Sequence, residues 1–298
     1  MQWDDKITTL PGLYFVTIGI ISPLSKWYNQ WLCTTANLRM VNLGLASLNF
    51  LVLGRLMQQI HGGKHYYEDK KALFSALTLA FFPLQYFFAF LYYTDVGSTC
   101  MVLLMYCLHL DKRDWFAAFI GALAVLFRQT NIVWVFFVAV QCAIPHLVAF
   151  AHEARMVQLQ PPIRFSLTTI GQLQELLEGL YLLLFTPKKS LQLLFHILKD
   201  CLGYLIVAVA FVAFVVHNQG VVVGDRSAHV PVLHPTQVFY FCAFSLFWSA
   251  PYAFPARLEP FYEKCKKHWM ISCMSILLIL GTVKSYTLAH PYLLADNR

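Results

Sequence analysis

The sequence predicts an all-α fold, a polytopic membrane helical bundle of about eight spanning helices plus one short N-terminal segment that either re-enters or spans. Three observations lead there. Of 298 residues, 58% are hydrophobic and only 12% charged, too few charged side chains to clothe a water-soluble globule of this length. The runs Ala72–Thr94, Val96–Leu110, Ile132–Ala151, Cys201–Val223, Val230–Arg257 and Trp269–Val283 contain no internal acid, lysine or arginine. None alternates strictly, which disfavours a barrel and leaves the helix, the other structure that satisfies its own backbone in lipid.

Taken in order, Pro11–Leu24 is apolar but short and marked by Pro and Gly. Parity makes it re-entrant if the N-terminus is lumenal. Spanning helices are expected at 36–57, 72–92, 96–110, 115–127, 131–150, 200–217, 236–256 and 269–288. The fourth of these, Trp115–Phe127, covers about half a bilayer. Residues 151–199 read as a cytoplasmic insertion in which Leu176–Phe185 and Leu191–Leu198 are short amphipathic helices lying in the interface. No internal repeat is evident, so residues 1–298 form a single membrane domain.

A net charge of +7 does not point to nucleic acid, because the basic residues form no stripe. They collect in alternate linkers: Arg55 to Lys71, Lys112-Arg113, Arg155 to Lys199, and Arg257 to Lys267. By the positive-inside rule those linkers are cytoplasmic. The eight cysteines lie mostly in or beside apolar segments with no C-x-x-C spacing, and read as small packing residues. His109, His196 and His217 have no second ligand at metal spacing in the sequence and read as packing or interfacial histidines. Arg39, Arg55 and Lys284 read as snorkelling anchors. No signal peptide follows Met1, so insertion is expected to use an internal helix or sequence upstream of it.

Four polar clusters remain on the opposite face: Tyr92-Tyr93-Thr94-Asp95, Phe127-Arg128-Gln129-Thr130-Asn131, Gly224-Asp225-Arg226-Ser227-Ala228-His229 and Leu294-Ala295-Asp296-Asn297-Arg298. Arg128 stands between apolar runs, where arginine costs about 2.5 kcal/mol or more at the bilayer centre unless it snorkels or is paired. It is either a planar fork for phosphate or an anchor at a helix break. Asp95 either caps a helix together with Thr94, or binds a sugar hydroxyl or serves as a base. Asp225, Arg226 and His229 offer an acid, a phosphate fork and a titratable imidazole within five positions, although Gly-Asp is also an ordinary turn. Asp296 and Arg298, read alone, are a chain end of the usual inert kind.

Five phrases occur in order: Gln2-Trp3-Asp4 with Ile7-Thr8-Thr9-Leu10-Pro11-Gly12-Leu13-Tyr14; Leu91 to Asp95; Phe127 to Ile132; Gly224-Asp225-Arg226-Ser227 with His229; and Tyr292 to Arg298. Together they resemble the endoplasmic-reticulum alpha-1,2-glucosyltransferase family, which uses dolichyl-phosphate glucose to add the last glucose to the dolichol-linked oligosaccharide for asparagine-linked glycosylation. The resemblance implies a GT-C-like fold and an inverting transfer on the lumenal face of the endoplasmic-reticulum membrane. A carboxylate takes the acceptor hydroxyl proton, dolichyl phosphate leaves from the opposite face of the sugar, and arginines meet its charge.

On that resemblance the catalytic candidates are Asp95, Asp225 and His229, and the substrate-binding candidates are Arg128, Gln129, Asn131, Arg226, Asp296 and Arg298. No cofactor and no metal is implied. The expected partners are dolichyl-phosphate glucose, the dolichol-linked oligosaccharide and membrane lipid, with no nucleic acid. The family pattern also has a helix and an Asp-Glu pair upstream of the Trp-Asp phrase, and further helices after the last one. Their place lies outside residues 1–298, so the chain is expected to be truncated at both ends. The alternative function is a non-catalytic membrane protein, a regulatory subunit or transporter-like carrier.

Overall fold

A computed structural model of the chain describes residues 8–61, 70–154, 187–224, 234–253 and 258–287. All regular structure among them is helical, in two compact units, residues 1–224 and 225–298. In the first unit α1 is Gly12–Tyr28, α2 Thr35–His61, α3 Lys70–Ala80, α4 Pro83–Ala89, α5 Thr94–Leu110, α6 Asp114–Phe127, α7 Ile132–Ala154 and α8 Pro187–Asn218. A single 3-10 turn, Gln129–Asn131, separates α6 from α7.

Two elements differ from the sequence expectation for local reasons. The single helix expected over 72–92 is broken into α3 and α4, because Pro83 lacks an N–H and drives the preceding residue out of the helical region. Phe82 accordingly takes φ −54° and ψ 129°. The second difference is Leu191–Leu198, which belongs to the unbroken 32-residue α8 instead of forming a separate interfacial helix.

Buried amides set the register of α2 against α5. Asn42 Nδ2 donates to the carbonyls of Phe88 (3.2 Å) and Leu91 (2.5 Å), and Asn49 Nδ2 to that of Val96 (3.0 Å). Further along, Gln59 Nε2 donates to the Cys107 carbonyl and to Asp111, which also pairs with Arg55 at 3.2 Å. The two helices therefore run in the same direction, from the Leu91 end to the Lys112 end. Arg55, read from the sequence as an anchor, is an ion-pair partner of Asp111.

This register decides the path of α1. Gly12 starts against the backbone of Leu126 and Phe127, so closely that a Cβ would sit 2.6 Å from the Leu126 carbonyl carbon. Leu13 then packs with Leu45, Val96 and Phe127, and Thr17 Oγ1 lies 2.7 Å from Tyr92 Oη. Thr35, where α2 begins, is on the Leu91 side of Asn42. From the Leu126–Phe127 backbone α1 thus runs past Tyr92 before the chain turns into α2.

The main core joins α5 to α8 through Met105, Ala117, Ala118, Val125, Val135, Val138 and Tyr204. Ala117 and Ala118 are nearly without exposure, and their small side chains let α6 approach its neighbours as membrane helices do. Outside this core the surface is apolar, with Val133, Trp134, Phe136, Val209, Val212 and Val216 exposed, as suits contact with lipid.

In the second unit α9 is Thr236–Ala253, α10 Leu258–Lys267 and α11 Trp269–Tyr286. Thr236 Oγ1 donates to the Tyr286 carbonyl at 3.3 Å, and the hydroxyls of Tyr240 and Thr287 lie 3.2 Å apart, tying α9 to the end of α11. The last turn of α10 carries Lys264, Lys266 and Lys267, where positive charge complements the helix dipole.

Four stretches are long and apolar enough to cross a bilayer: Thr35–Ile60, Gln129–Phe150, Leu193–Asn218 and Trp269–Tyr286. A fifth is gained if α4 and α5, bent by 119°, make one broken span. Among the described residues this is a helical membrane protein with four or five such spans, fewer than the eight read from the sequence. The difference lies mainly in short helices such as the 14-residue α6.

Candidate active site

Two of the polar clusters meet. Asp95 lies in the first turn of α5, and Arg128 ends α6 with an extended backbone, φ −149° and ψ 125°. Across 33 positions of sequence Arg128 Nη1 donates to Asp95 Oδ1 in an ion pair, with side chains 39% and 25% exposed. Asp95 Oδ2 is buried and makes no hydrogen bond among the described residues. The cap reading of this cluster is not what the structure shows. Tyr93 is the cap residue of α5 and makes no side-chain cap bond, while the Asp95 carboxylate turns to Arg128.

The pair sits at a cavity of about 490 Å³ lined by Asp95, Ser98, Thr99, Arg128, Thr130 and Asn131 at its polar end. Val102, Met105, Tyr106, Trp134, Phe137 and Val138 continue it as an apolar and aromatic wall. Such a shape suits a ligand with a charged head and an apolar body. A guanidinium carries five N–H donors, so its bond to Asp95 leaves donors for an anion. Aromatic rings with a polar rim also suit a sugar face.

The break that presents Arg128 is built by its neighbours. Asn131 is buried, and its Nδ2 donates to Ser98 Oγ and to the Ala124 carbonyl, both at 2.7 Å. Gln129 is buried too, and its Nε2 donates to the Thr8 carbonyl at 3.0 Å. The same carbonyl accepts from the Val223 N–H at 3.3 Å. The amides of Gln129 and Asn131, both substrate-binding candidates, thus hold the turn, and Asn131 alone of the two also lines the cavity. On the opposite side Gly97 lies so near Phe127 that a Cβ would meet its Cε1 at 2.2 Å, which sets the ring immediately before Arg128.

The structure therefore unites Asp95, Arg128 and Asn131, with Gln129 just behind them. Asp225, Arg226, His229, Asp296 and Arg298 lie outside the described residues. Sequence reasoning missed Asn42 and Asn49, whose only signal was an amide seven residues from another in an apolar helix, and Ser98 and Trp134; Thr8 lay in the first family phrase but was given no role.

No solved structure matches the chain. Among curated proteins it is 37% identical over 310 residues to the Homo sapiens "Dol-P-Glc:Glc(2)Man(9)GlcNAc(2)-PP-Dol alpha-1,2-glucosyltransferase", covering 100% of this chain and 63% of that protein. The same-named Mus musculus protein is 39% identical over 306 residues, again with 100% and 63% covered. The Arabidopsis thaliana one is 30% identical over 341 residues, covering 100% of this chain and 66% of its own. The chain thus spans a little under two thirds of the length of these relatives. A profile described as the DIE2/ALG10 family matches residues 1–298, taking in the Asp95 and Arg128 clusters and everything between them: the chain belongs to that family.

Proposed function

We propose that this chain carries the donor-binding part of an inverting glucosyltransferase. Glucose moves from dolichyl-phosphate glucose to the terminal glucose of the dolichol-linked oligosaccharide, forming the alpha-1,2 linkage of asparagine-linked glycosylation. The observation that carries the reading is the Asp95–Arg128 pair at the polar end of a cavity whose wall is apolar and aromatic. The names of the relatives agree with it. No specific observation favours the regulatory or transporter-like alternative.

In this reading Arg128 holds the lipid phosphate, and Asp95 fixes the guanidinium while offering Oδ2 to a sugar hydroxyl. The acceptor oxygen attacks the anomeric carbon and its proton passes to a carboxylate. The bond from that carbon to the phosphate oxygen breaks, and its electron pair leaves with dolichyl phosphate. A single displacement inverts the centre. Charge develops on the leaving phosphate, which is where a prepositioned arginine is most effective. Asp225, Arg226, His229, Asp296 and Arg298 are assigned to the reaction on the sequence resemblance alone.

The fold is proposed to be GT-C-like, in the endoplasmic-reticulum membrane, with Asp95 and Arg128 facing the lumen and the Lys112 end in the cytosol. The test is complementation of microsomes that lack the endogenous transferase, using this chain and the same chain extended to the length of its relatives. The extended chain restores the terminal glucose on the lipid-linked oligosaccharide. Failure of a correctly inserted extended chain overturns the reading.

A further inference from the structure

A second polar cluster lies at the other end of the bundle, where four helices converge. His109 is in the last turn of α5, Asp114 opens α6, Cys142 is in α7, and Cys201 and Tyr204 are in α8. His109 Nδ1 lies 2.6 Å from Asp114 Oδ1, and Tyr204 Oη donates to that same oxygen at 3.0 Å. One ligand atom each from His109, Asp114 and Cys142 falls within 4.8 Å of the other two. His109 and Cys142 are each only 6% exposed.

An Asp–His–Tyr hydrogen-bonded knot accounts for three of these groups; Cys201 Sγ donates to the Ala139 carbonyl at 3.5 Å, and the buried Cys142 thiol is brought beside the knot from α7. We infer that the cluster is a binding site for a divalent transition metal of the zinc class. His109 Nδ1, an Asp114 oxygen and the Cys142 thiolate are its ligands, leaving a fourth position for water. Nitrogen and sulfur donors select zinc over magnesium or calcium, which take oxygen ligands. Zinc bonds of about 2.0–2.3 Å place tetrahedral ligands roughly 3.3–3.8 Å apart. The 2.6 Å pair has to open and the wider pairs, up to 4.8 Å, have to close, by about 1 Å in each case. Binding deprotonates Cys142, and the proton is released to solvent.

The site is separate from the proposed transfer chemistry, since fourteen residues of helix rise put it about 20 Å along α5 from Asp95. It is nonetheless joined to the cavity floor. The His109 ring stacks on Tyr106 at 6.3 Å between centroids, and Cys142 follows one turn after Val138, both of them cavity-lining residues. A metal here fastens the α5–α6 turn to α7 beneath that floor.

The inference does not rest on the glucosyl-transfer reading and is tested without an activity. The purified full chain is stripped with chelator, loaded with zinc or cobalt, passed over a desalting column and analysed for bound metal. Wild-type protein is expected to retain about one zinc per chain, and its cobalt form to show the sulfur-to-metal charge-transfer absorption of a bound thiolate. Cys142→Ser abolishes that absorption and lowers zinc at least about tenfold, whereas Cys273→Ser, an exposed cysteine of the second unit, leaves both unchanged. His109→Gln also loses zinc. If that variant does not elute as a folded species, Cys142→Ser, which conserves volume, decides alone. Wild-type protein retaining no zinc, or zinc unaffected by Cys142→Ser, overturns the site.

Discussion

Asn131 Nδ2 donates to Ser98 Oγ at 2.7 Å, joining the starts of α5 and α7 one turn behind the Asp95–Arg128 pair. Its second bond, to the Ala124 carbonyl, ties the end of α6 to the same point. Replacing it leaves buried polar groups without partners, so Asn131→Leu is expected to cost about 1–3 kcal/mol. Ser98→Ala, which keeps the bond to Ala124, is expected to cost less. Thermal unfolding in detergent ranks the two, and equal midpoints would remove Asn131 from this role.

Arg128→Lys keeps charge and reach but loses the planar fork. The loss of one or two charge-assisted bonds, about 1.5–3 kcal/mol, slows transfer by roughly ten- to a hundredfold while expression and insertion persist. Arg226→Lys is expected to behave alike. Rates are read as terminal glucose on the lipid-linked oligosaccharide in the extended chain. Wild-type rates with both lysines would make these arginines anchors only.

Asp95→Asn keeps the size of the side chain and removes the charge that holds Arg128. The guanidinium loses its fixed orientation, so activity is expected to fall at least about tenfold while the thermal midpoint stays close to wild type, since the pair is partly solvated. A large loss of stability with full activity in the surviving protein would show the pair to be structural.

Gly97→Ala forces a Cβ against Phe127 at 2.2 Å. The ring is buried at 2% exposure and has little room to yield, so overpacking costs about 1–3 kcal/mol and displaces the residue before Arg128. Activity should fall further than the change in thermal midpoint alone accounts for. Gly12→Ala meets backbone at 2.6 Å, which cannot rotate away, and is expected to be the more damaging to folding.

Sidedness is open to cysteine labelling in sealed microsomes. Positions 95 and 128 are expected to be protected from an impermeant reagent, and positions 55, 70 and 112 to react. Protection of position 112 together with reaction at 128 would invert the proposed orientation.

Much of this was legible because charge is rare in an apolar chain. Asp95 and Arg128 stood out as charges at the edges of long apolar runs, and the structure brings both to one cavity. Their pairing was not legible, since 33 positions of sequence say nothing about how α5 and α6 cross. The break before Pro83 was present in the residues, but the apolar run on either side of it masked the punctuation. His109 looked unpartnered because its partner, Asp114, is five residues on across the α5–α6 turn and Cys142 approaches from another helix, arrangements that linear spacing does not reveal.

Both α5 and α7 begin at the Arg128 face, and neither the α5 start at Thr94 nor the turn before Ile132 is closed by a side-chain cap bond. Each aligned stack of peptides presents about half a positive charge at such an end. An anion entering there meets the backbone potential of two helices as well as one guanidinium. The attraction that draws a phosphate in is therefore shared with the main chain, where side-chain substitution does not reach. Arg128 is left to decide mostly which way the phosphate faces, so its variants should separate turnover from affinity.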